Sequence, residues 1–243
     1  MENRDAFGQY LLAQYQNLKK PMKEIVERDD GYIEATDYSD RYFSEYPFWD
    51  RSEKRALKLV RGKVLDIGCG AGRHVLYLQK HKFDATGIDS SPGAVAVCKF
   101  RGVKQVKLLP IEKIGQLGSD QFDTIIMMGN NLGLLGGPIK AKLLLKKLYR
   151  ITSDKAQIIA ENNHPYKTSN PIHLNYHKFN RRRGRLAGQL KLRVRYKNII
   201  GKWFDYLLVS PQELKEILKG TGWKLKKIIP SQTSTYIAVI VKS

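Results

Sequence analysis

A chain of 243 residues, 42% hydrophobic and 27% charged, can bury one sizeable core and suits one domain with additions. No apolar run approaches the ~20 residues of a membrane span, and the opening Met1-Glu2-Asn3-Arg4-Asp5 lacks the basic and apolar regions of a signal peptide, so a cytoplasmic protein is expected. The only cysteines are Cys69 and Cys98, which argues against a disulfide framework and leaves no metal site to expect. The formal net charge of +20 favours an acidic partner (nucleic acid, an acidic small molecule or an anionic membrane surface) or reflects a solvated basic surface.

Phe7, Tyr10, Leu11, Tyr15 and Leu18 recur near helical spacing and predict a helix over 6–26, interrupted at Pro21. From Tyr32 to Trp49, aromatics (Tyr32, Tyr38, Tyr42, Phe43, Tyr46, Phe48, Trp49) interleave with charges, and a second N-terminal helix packed as ordinary core is one reading of them. A short amphipathic helix over 52–60 ends at Gly62.

The most informative stretch is Val64-Leu65-Asp66-Ile67-Gly68-Cys69-Gly70-Ala71-Gly72, an apolar strand-like run that ends in an acid and alternate glycines before a helical pattern. The glycines permit positive φ and close backbone approach to a ligand. A dinucleotide fingerprint spaces its third glycine one residue later, and Arg73 stands there instead. Asp66 would repel a phosphate and attract an ammonium group. About twenty residues past the first glycine, Asp89 closes a second strand (83–89), where an acid can accept both hydrogen bonds of a ribose diol.

In these residues the chain resembles the class I S-adenosylmethionine-dependent methyltransferases. The resemblance runs from about Arg61 to the last strand and implies a Rossmann-like α/β sheet with helices on both faces and a closing antiparallel hairpin. It further implies that Gly68, Cys69, Gly70 and Arg73 hold the methionine part of the cofactor S-adenosylmethionine, with Asp89 and Ser90 at its ribose. Segments before the first motif often form a lid in that family, so residues 1–60 are expected to be a helical lid in which Tyr38, Tyr42 and Trp49 approach the acceptor. Residues 61–243 are then the catalytic domain.

The third strand (103–109) leads to Pro110-Ile111-Glu112, where the family often has an acid for the adenine amine; Ile111 suits the adenine face, while Glu112 is offset. After the fourth strand (122–128), Gly129, Asn130 and Asn131 fall at the cleft end of an open sheet and suit contact with cofactor or acceptor. The absence there of a Pro-Pro-aromatic run disfavours methylation of a base or amide nitrogen of the family's kind. Residues 139–149 form a basic amphipathic helix. The fifth strand (156–160) brings Asn162 and His164 to the same edge, and His164 is the candidate proton acceptor.

Residues 171–209 read as an insertion with a β-hairpin, in which Leu190, Leu192, Val194 and Tyr196 alternate with Lys191, Arg193, Arg195 and Lys197. The cationic row suits phosphate or carboxylate anions, and equally an exposed edge strand guarded by its charges. Tyr176, at the head of this insertion, is the second candidate catalytic residue. A capping box, Ser210-Pro211-Gln212-Glu213, opens the last helix, and two strands (223–229, 235–241) close the chain. The expected function is methyl transfer to a small-molecule acceptor. RNA methylation by way of the basic hairpin is the alternative, and a non-catalytic nucleotide-binding module a further one.

Overall fold

The computed structural model describes residues 4–20, 22–37, 39–119 and 121–243; Met1-Glu2-Asn3, Pro21 and Tyr38, all invoked above, lie outside the described residues. In chain order the elements are α1 (Ala6–Gln16), β1 (Lys23–Arg28), β2 (Ile33–Asp37), α2 (Ser39–Phe43), α3 (Arg51–Leu57), β3 (Val64–Ile67), α4 (Arg73–Lys80), β4 (Ala85–Asp89), α5 (Pro92–Phe100) and β5 (Val106–Leu108). They continue through β6 (Phe122–Met127), α6 (Pro138–Arg150), β7 (Thr152–Asn163), α7 (Pro171–Arg182), β8 (Gln189–Tyr196), β9 (Ile199–Ile200), β10 (Phe204–Leu207), α8 (Pro211–Leu218), β11 (Trp223–Pro230) and β12 (Thr235–Lys242). Among the described residues no helix is long and apolar enough to cross a membrane.

Seven strands form the main sheet in the order β11-β12-β7-β6-β3-β4-β5. Strands β3 to β7 run parallel to their neighbours, and β12 is antiparallel to both β7 and β11. The central strands are near-continuous apolar runs because helices cover both faces. On one face Leu144, Leu145 and Leu148 of α6 and Leu214, Ile217 and Leu218 of α8 pack with Ile125 and Ile158. On the other, Ala56 of α3, Val75 and Leu78 of α4 and Cys98 of α5 pack with Val64 and Ile126. The doubly wound α/β sheet with its antiparallel closing hairpin is as the sequence predicts, and the capping box at Ser210 is fully formed.

A second sheet was not foreseen. Its order is β10-β8-β1-β2, all antiparallel, with β9 alongside β8. The expected N-terminal helix stops at Gln16, where the Gln14 amide bonds the carbonyls of Asn17 and Lys20 and accepts from Met22 N–H. The chain beyond it is extended, so the all-helical segment expected over residues 1–60 is corrected to one in which the β1–β2 hairpin stands between α1 and the short helices α2 and α3. The predicted hairpin of the insertion is present as β8 and β10, but it follows a helix, α7, that the sequence reading missed. Strand β8 is interior rather than an edge, because β1 pairs along its other side. Two members of its cationic row are engaged within the fold: Arg193 makes two 2.8 Å bonds to Glu27, and Arg195 stands 3.2 Å from the same carboxylate.

Helix α1 docks on α5 through glycine. A Cβ on Gly93 would lie 2.6 Å from the backbone of Gly8, closer than any side chain tolerates. The Asp5 carboxylate caps α1 at Gly8 N–H and also accepts from Ser91 Oγ and Gly93 N–H. Gly93→Ala is therefore expected to cost about 1–3 kcal/mol. Urea unfolding should record that loss, and limited proteolysis should cut earlier within 6–16; an unchanged midpoint would refute the close packing.

Candidate cofactor and acceptor cleft

The carboxyl ends of β3, β4, β6 and β7 open into one cavity of about 1520 Å³, and the inner face of the second sheet, carrying Glu24, Val26, Arg28, Leu190, Leu192 and Val194, forms its opposite wall. Ligands in open α/β sheets bind at these strand ends. A single drug-sized ligand occupies roughly 300–1,000 Å³, so the cavity has room for a nucleoside cofactor and a second small molecule.

The glycine loop is held from below. Gly68 and Cys69 N–H both donate to Ile88 O, at 2.9 and 3.1 Å. Gly68, Gly70 and Gly72 all take positive φ, as the turn requires. Gly70 N–H donates to Asp89 Oδ2 and Ser91 N–H to Asp89 Oδ1, each at 2.9 Å, which fixes the carboxylate at the end of β4 on the cavity wall. Burial raises its carboxyl to about 6. Asp66 is 2% exposed and sits beneath the loop rather than on the wall. Its Oδ2 has no hydrogen-bond partner among the described residues, His74 Nδ1 being 4.0 Å away. Burial lifts this carboxyl to about 7, against the pull of Arg73.

The remaining predicted residues divide. Cys69, Ser90, Ile111, Glu112, Gly129 and Asn130 line the cavity with Asp89. Glu112 is held by Lys140 at 2.6 Å, which keeps it ionised despite partial burial. Arg73 also reaches the wall, but Glu53 holds its guanidinium at 2.6 Å and the Trp49 ring lies 5.1 Å below it. Asn130 Oδ1 accepts from Asn163 N–H at 2.6 Å, and its carbonyl accepts from Tyr206 Oη at 2.5 Å. His164 lines the cavity, with Nδ1 taking the Tyr166 N–H at 3.3 Å. Tyr42 lines it too and donates to Glu24 Oε2 at 2.8 Å.

Four expectations are corrected. Asn131 touches the cavity, but both amide hydrogens go to loop carbonyls, Ile67 O at 3.1 Å and Gly68 O at 2.8 Å, so it is a support of the loop. Asn162 is fully buried and clamps Leu207 O and Val209 N–H, joining the insertion to β7. Trp49 is core, its indole N–H on Ser44 O and its ring against His74 and Tyr77. Tyr176 lies away from the cavity wall, buried, donating to Asp29 Oδ1 at 2.5 Å beneath the Arg28 guanidinium. In each case a polar or aromatic side chain near the cleft in sequence meets a structural need first.

Sequence reasoning missed Glu24, Glu34, His173 and His177, which all face the cavity. No local signal marked them: strands with charges on both faces carry no hydropathy period, and the two histidines lie on α7, a helix that the sequence reading missed.

Comparison with known proteins bears on this geometry. Residues 64–155 match the methyltransferase domain family. The chain therefore contains a methyltransferase domain, in keeping with its resemblance to the class I S-adenosylmethionine-dependent family. A methyltransferase of Bacteroides fragilis, solved with S-adenosyl-L-homocysteine, superposes with a TM-score of 0.82 over 99% of this chain and 95% of its own, at 24% identity. The CcbJ methyltransferase of Streptomyces caelestis does so at 0.64, covering 98% of both chains at 14% identity, and both likenesses show the fold. The tRNA U34 carboxymethyltransferase of Shewanella baltica is 38% identical over 91 residues; that match takes in 33% of this chain and only 26% of the relative's length.

The acids make stability pH-dependent. A carboxyl whose folded value lies above its unfolded value of ~3.9 favours folding fully at acid pH, and that contribution is lost as pH rises through the folded value. For Asp66 and Asp89 the window runs from about pH 4 to about pH 7. The ligand-free chain should lose a few kcal/mol across it, at ~1.4 kcal/mol for each tenfold difference in proton affinity between the folded and unfolded chain. Asp66→Asn should flatten the profile and exceed wild type near neutral pH in urea unfolding; a variant that tracks wild type throughout would discount the buried acid.

Proposed function

We propose that this chain transfers the methyl group of S-adenosylmethionine to a small-molecule acceptor enclosed between the two sheets. The observation that carries this reading is the second sheet itself, which walls the strand ends and leaves a bounded chamber beyond the glycine loop. The residues present fit the cofactor. Asp89 keeps free lone pairs for a ribose diol, Ile111 offers an apolar surface for adenine, and no atom lies within 4 Å of a Cβ on Gly129. The cofactor supplies a methyl group already made electrophilic by its sulfonium charge. The chain's own work is then to align the acceptor with that methyl, exclude water and carry away a proton. His164, on the chamber wall, is the proposed proton carrier, and Asp66, with its orphaned Oδ2, biases the loop toward a cationic methionine end.

RNA methylation is the second reading, favoured by the tRNA-modifying relative and by the charge of +20. The 91 matched residues amount to a third of this chain, while two of the four cations of the β8 row, Arg193 and Arg195, are paired with Glu27. Both observations favour the small-molecule acceptor.

Thermal unfolding with S-adenosylhomocysteine, with NADH as control, tests the cofactor. A ligand at a hundred times its dissociation constant adds about 2.7 kcal/mol, and the midpoint should rise by roughly 5–11 °C. Asp89→Ala should abolish that rise. Labelled S-adenosylmethionine in cell extracts then separates acceptors: label in the small-molecule fraction is expected, and label confined to RNA, lost with added salt, would favour the second reading.

A further inference from the structure

The inner face of the second sheet carries a carboxylate that the fold leaves without a counter-ion. Glu24 on β1 is 5% exposed and lies on the chamber wall. Its Oε2 accepts the Tyr42 hydroxyl at 2.8 Å, and among the described residues it forms no ion pair. Tyr42 in turn covers the glycine loop, its ring 3.5 Å from where a Cβ on Gly70 would stand. The pair therefore sits over the part of the loop that faces the methionine end of the cofactor. Glu34 on β2, opposite Val26, turns a second carboxylate to the same chamber.

Arg28, the cation on the same strand face, is already committed. It bonds both oxygens of Asp30 at 2.8 and 2.7 Å, meets His173 Nδ1 at 3.1 Å and stacks between Tyr32 and Tyr176. The same wall carries the aromatic and apolar side chains Tyr42, Tyr206, Trp203, Phe204, Val26 and Val194, with Arg4, Arg41 and Lys202 elsewhere on it. A buried carboxylate in such a setting is stable when protonated or when a cation joins it. Burial, with Glu34 adding to it, raises the Glu24 carboxyl to about 7 in the absence of a ligand.

Resting on the methyltransferase reading above, we propose that the acceptor is an alkyl amine and that Glu24 is the residue that receives it. The ammonium form enters between Glu24, Glu34 and the aromatic rings, which stabilise it by charge and by cation–π contact. The Glu24 carboxylate takes one proton from the ammonium, leaving a neutral amine with a free lone pair. That lone pair forms the new N–C bond as the S–C bond breaks, its electron pair staying on sulfur; the product leaves as the methylated ammonium, and Glu24 gives the proton it took to solvent. An alkyl nitrogen of this kind needs none of the planar-nitrogen grip that Gly129-Asn130-Asn131 lacks. An anionic acceptor placed at Glu24 would instead meet a buried carboxylate.

The test is calorimetric titration of the full chain, saturated with S-adenosylhomocysteine, against phenethylamine, its neutral isostere 2-phenylethanol and the anion 3-phenylpropionate. Wild type should bind the amine roughly tenfold or more tightly than the alcohol, the size of one charge-assisted hydrogen bond, and the anion least. Glu24→Gln should erase the preference while binding S-adenosylhomocysteine as wild type does, and Glu34→Gln should reduce it by a smaller factor. Glutamine is the isostere of the protonated acid, and unchanged cofactor affinity reports that the variant is folded. Equal binding of amine and alcohol, a preference that survives Glu24→Gln, or no binding of the amine by a protein that takes S-adenosylhomocysteine would each overturn the proposal. Failure of wild type to bind S-adenosylhomocysteine would instead overturn the methyltransferase reading, and this proposal with it.

Discussion

The chamber depends on one long-range pairing, β1 with β8. Arg193 and Glu27 lie 166 residues apart, yet they share two hydrogen bonds on the outer face of the second sheet while Val26 and Val194 meet on its inner face. Because β-strands alternate, one register fixes both faces at once: the charged pair outward, the acid and valines toward the cavity. The entropic cost of closing so long a loop grows only slowly with length, so an N-terminal strand can be recruited by a late insertion. Without β1, strand β8 would be an edge with an unpaired cationic row, and the wall opposite the glycine loop would be missing.

This arrangement also resolves the meaning of the net charge. The chain is strongly basic, and the cavity wall carries both signs: Asp89, Glu24 and Glu34 stand among Arg28, Arg41, Arg73 and Lys140, with Asp66 beneath. Burial raises Asp66, Asp89, Glu24 and Glu161 toward neutrality. Bulk charge governs solubility and long-range attraction, whereas a cavity screened from water answers to its own few groups. The excess of lysine and arginine therefore says little about what the chamber accepts.

What was legible in the sequence was local. The apolar run into Asp66 and the glycines, the acid ending β4, the Ser91 cap and the Ser210 capping box each declare themselves within a few residues, and all formed as read. The roles of Asn131 and Asn162 were not legible, since their partners, Gly68 O and Leu207 O, lie 63 and 45 residues away. Nor was the second sheet, where β1 carries glutamate inward and outward and so shows no hydropathy alternation. Tyr42 was found for the right neighbourhood; its partner Glu24 becomes visible only once β1 crosses the cleft.

The turn after β4 joins the two halves of the cleft. Asp89 is held by Gly70 and Ser91 N–H, the Ser91 hydroxyl caps α5 at Ala94, and the same hydroxyl donates to Asp5, which caps α1. Helix α1 then carries Tyr10, whose ring packs edge-on against both Tyr42 and Tyr196 of β8. Asp89 and the wall carried by β8 are thus tied through one serine and one tyrosine. The hydrogen-bonded part of this network, from Gly70 through Asp89 and Ser91 to Asp5, holds its members to one geometry more firmly than the separate bonds would. In the proposed reaction, which asks chiefly for alignment of methyl and acceptor, that coupling would hold the second sheet at a fixed distance from the glycine loop.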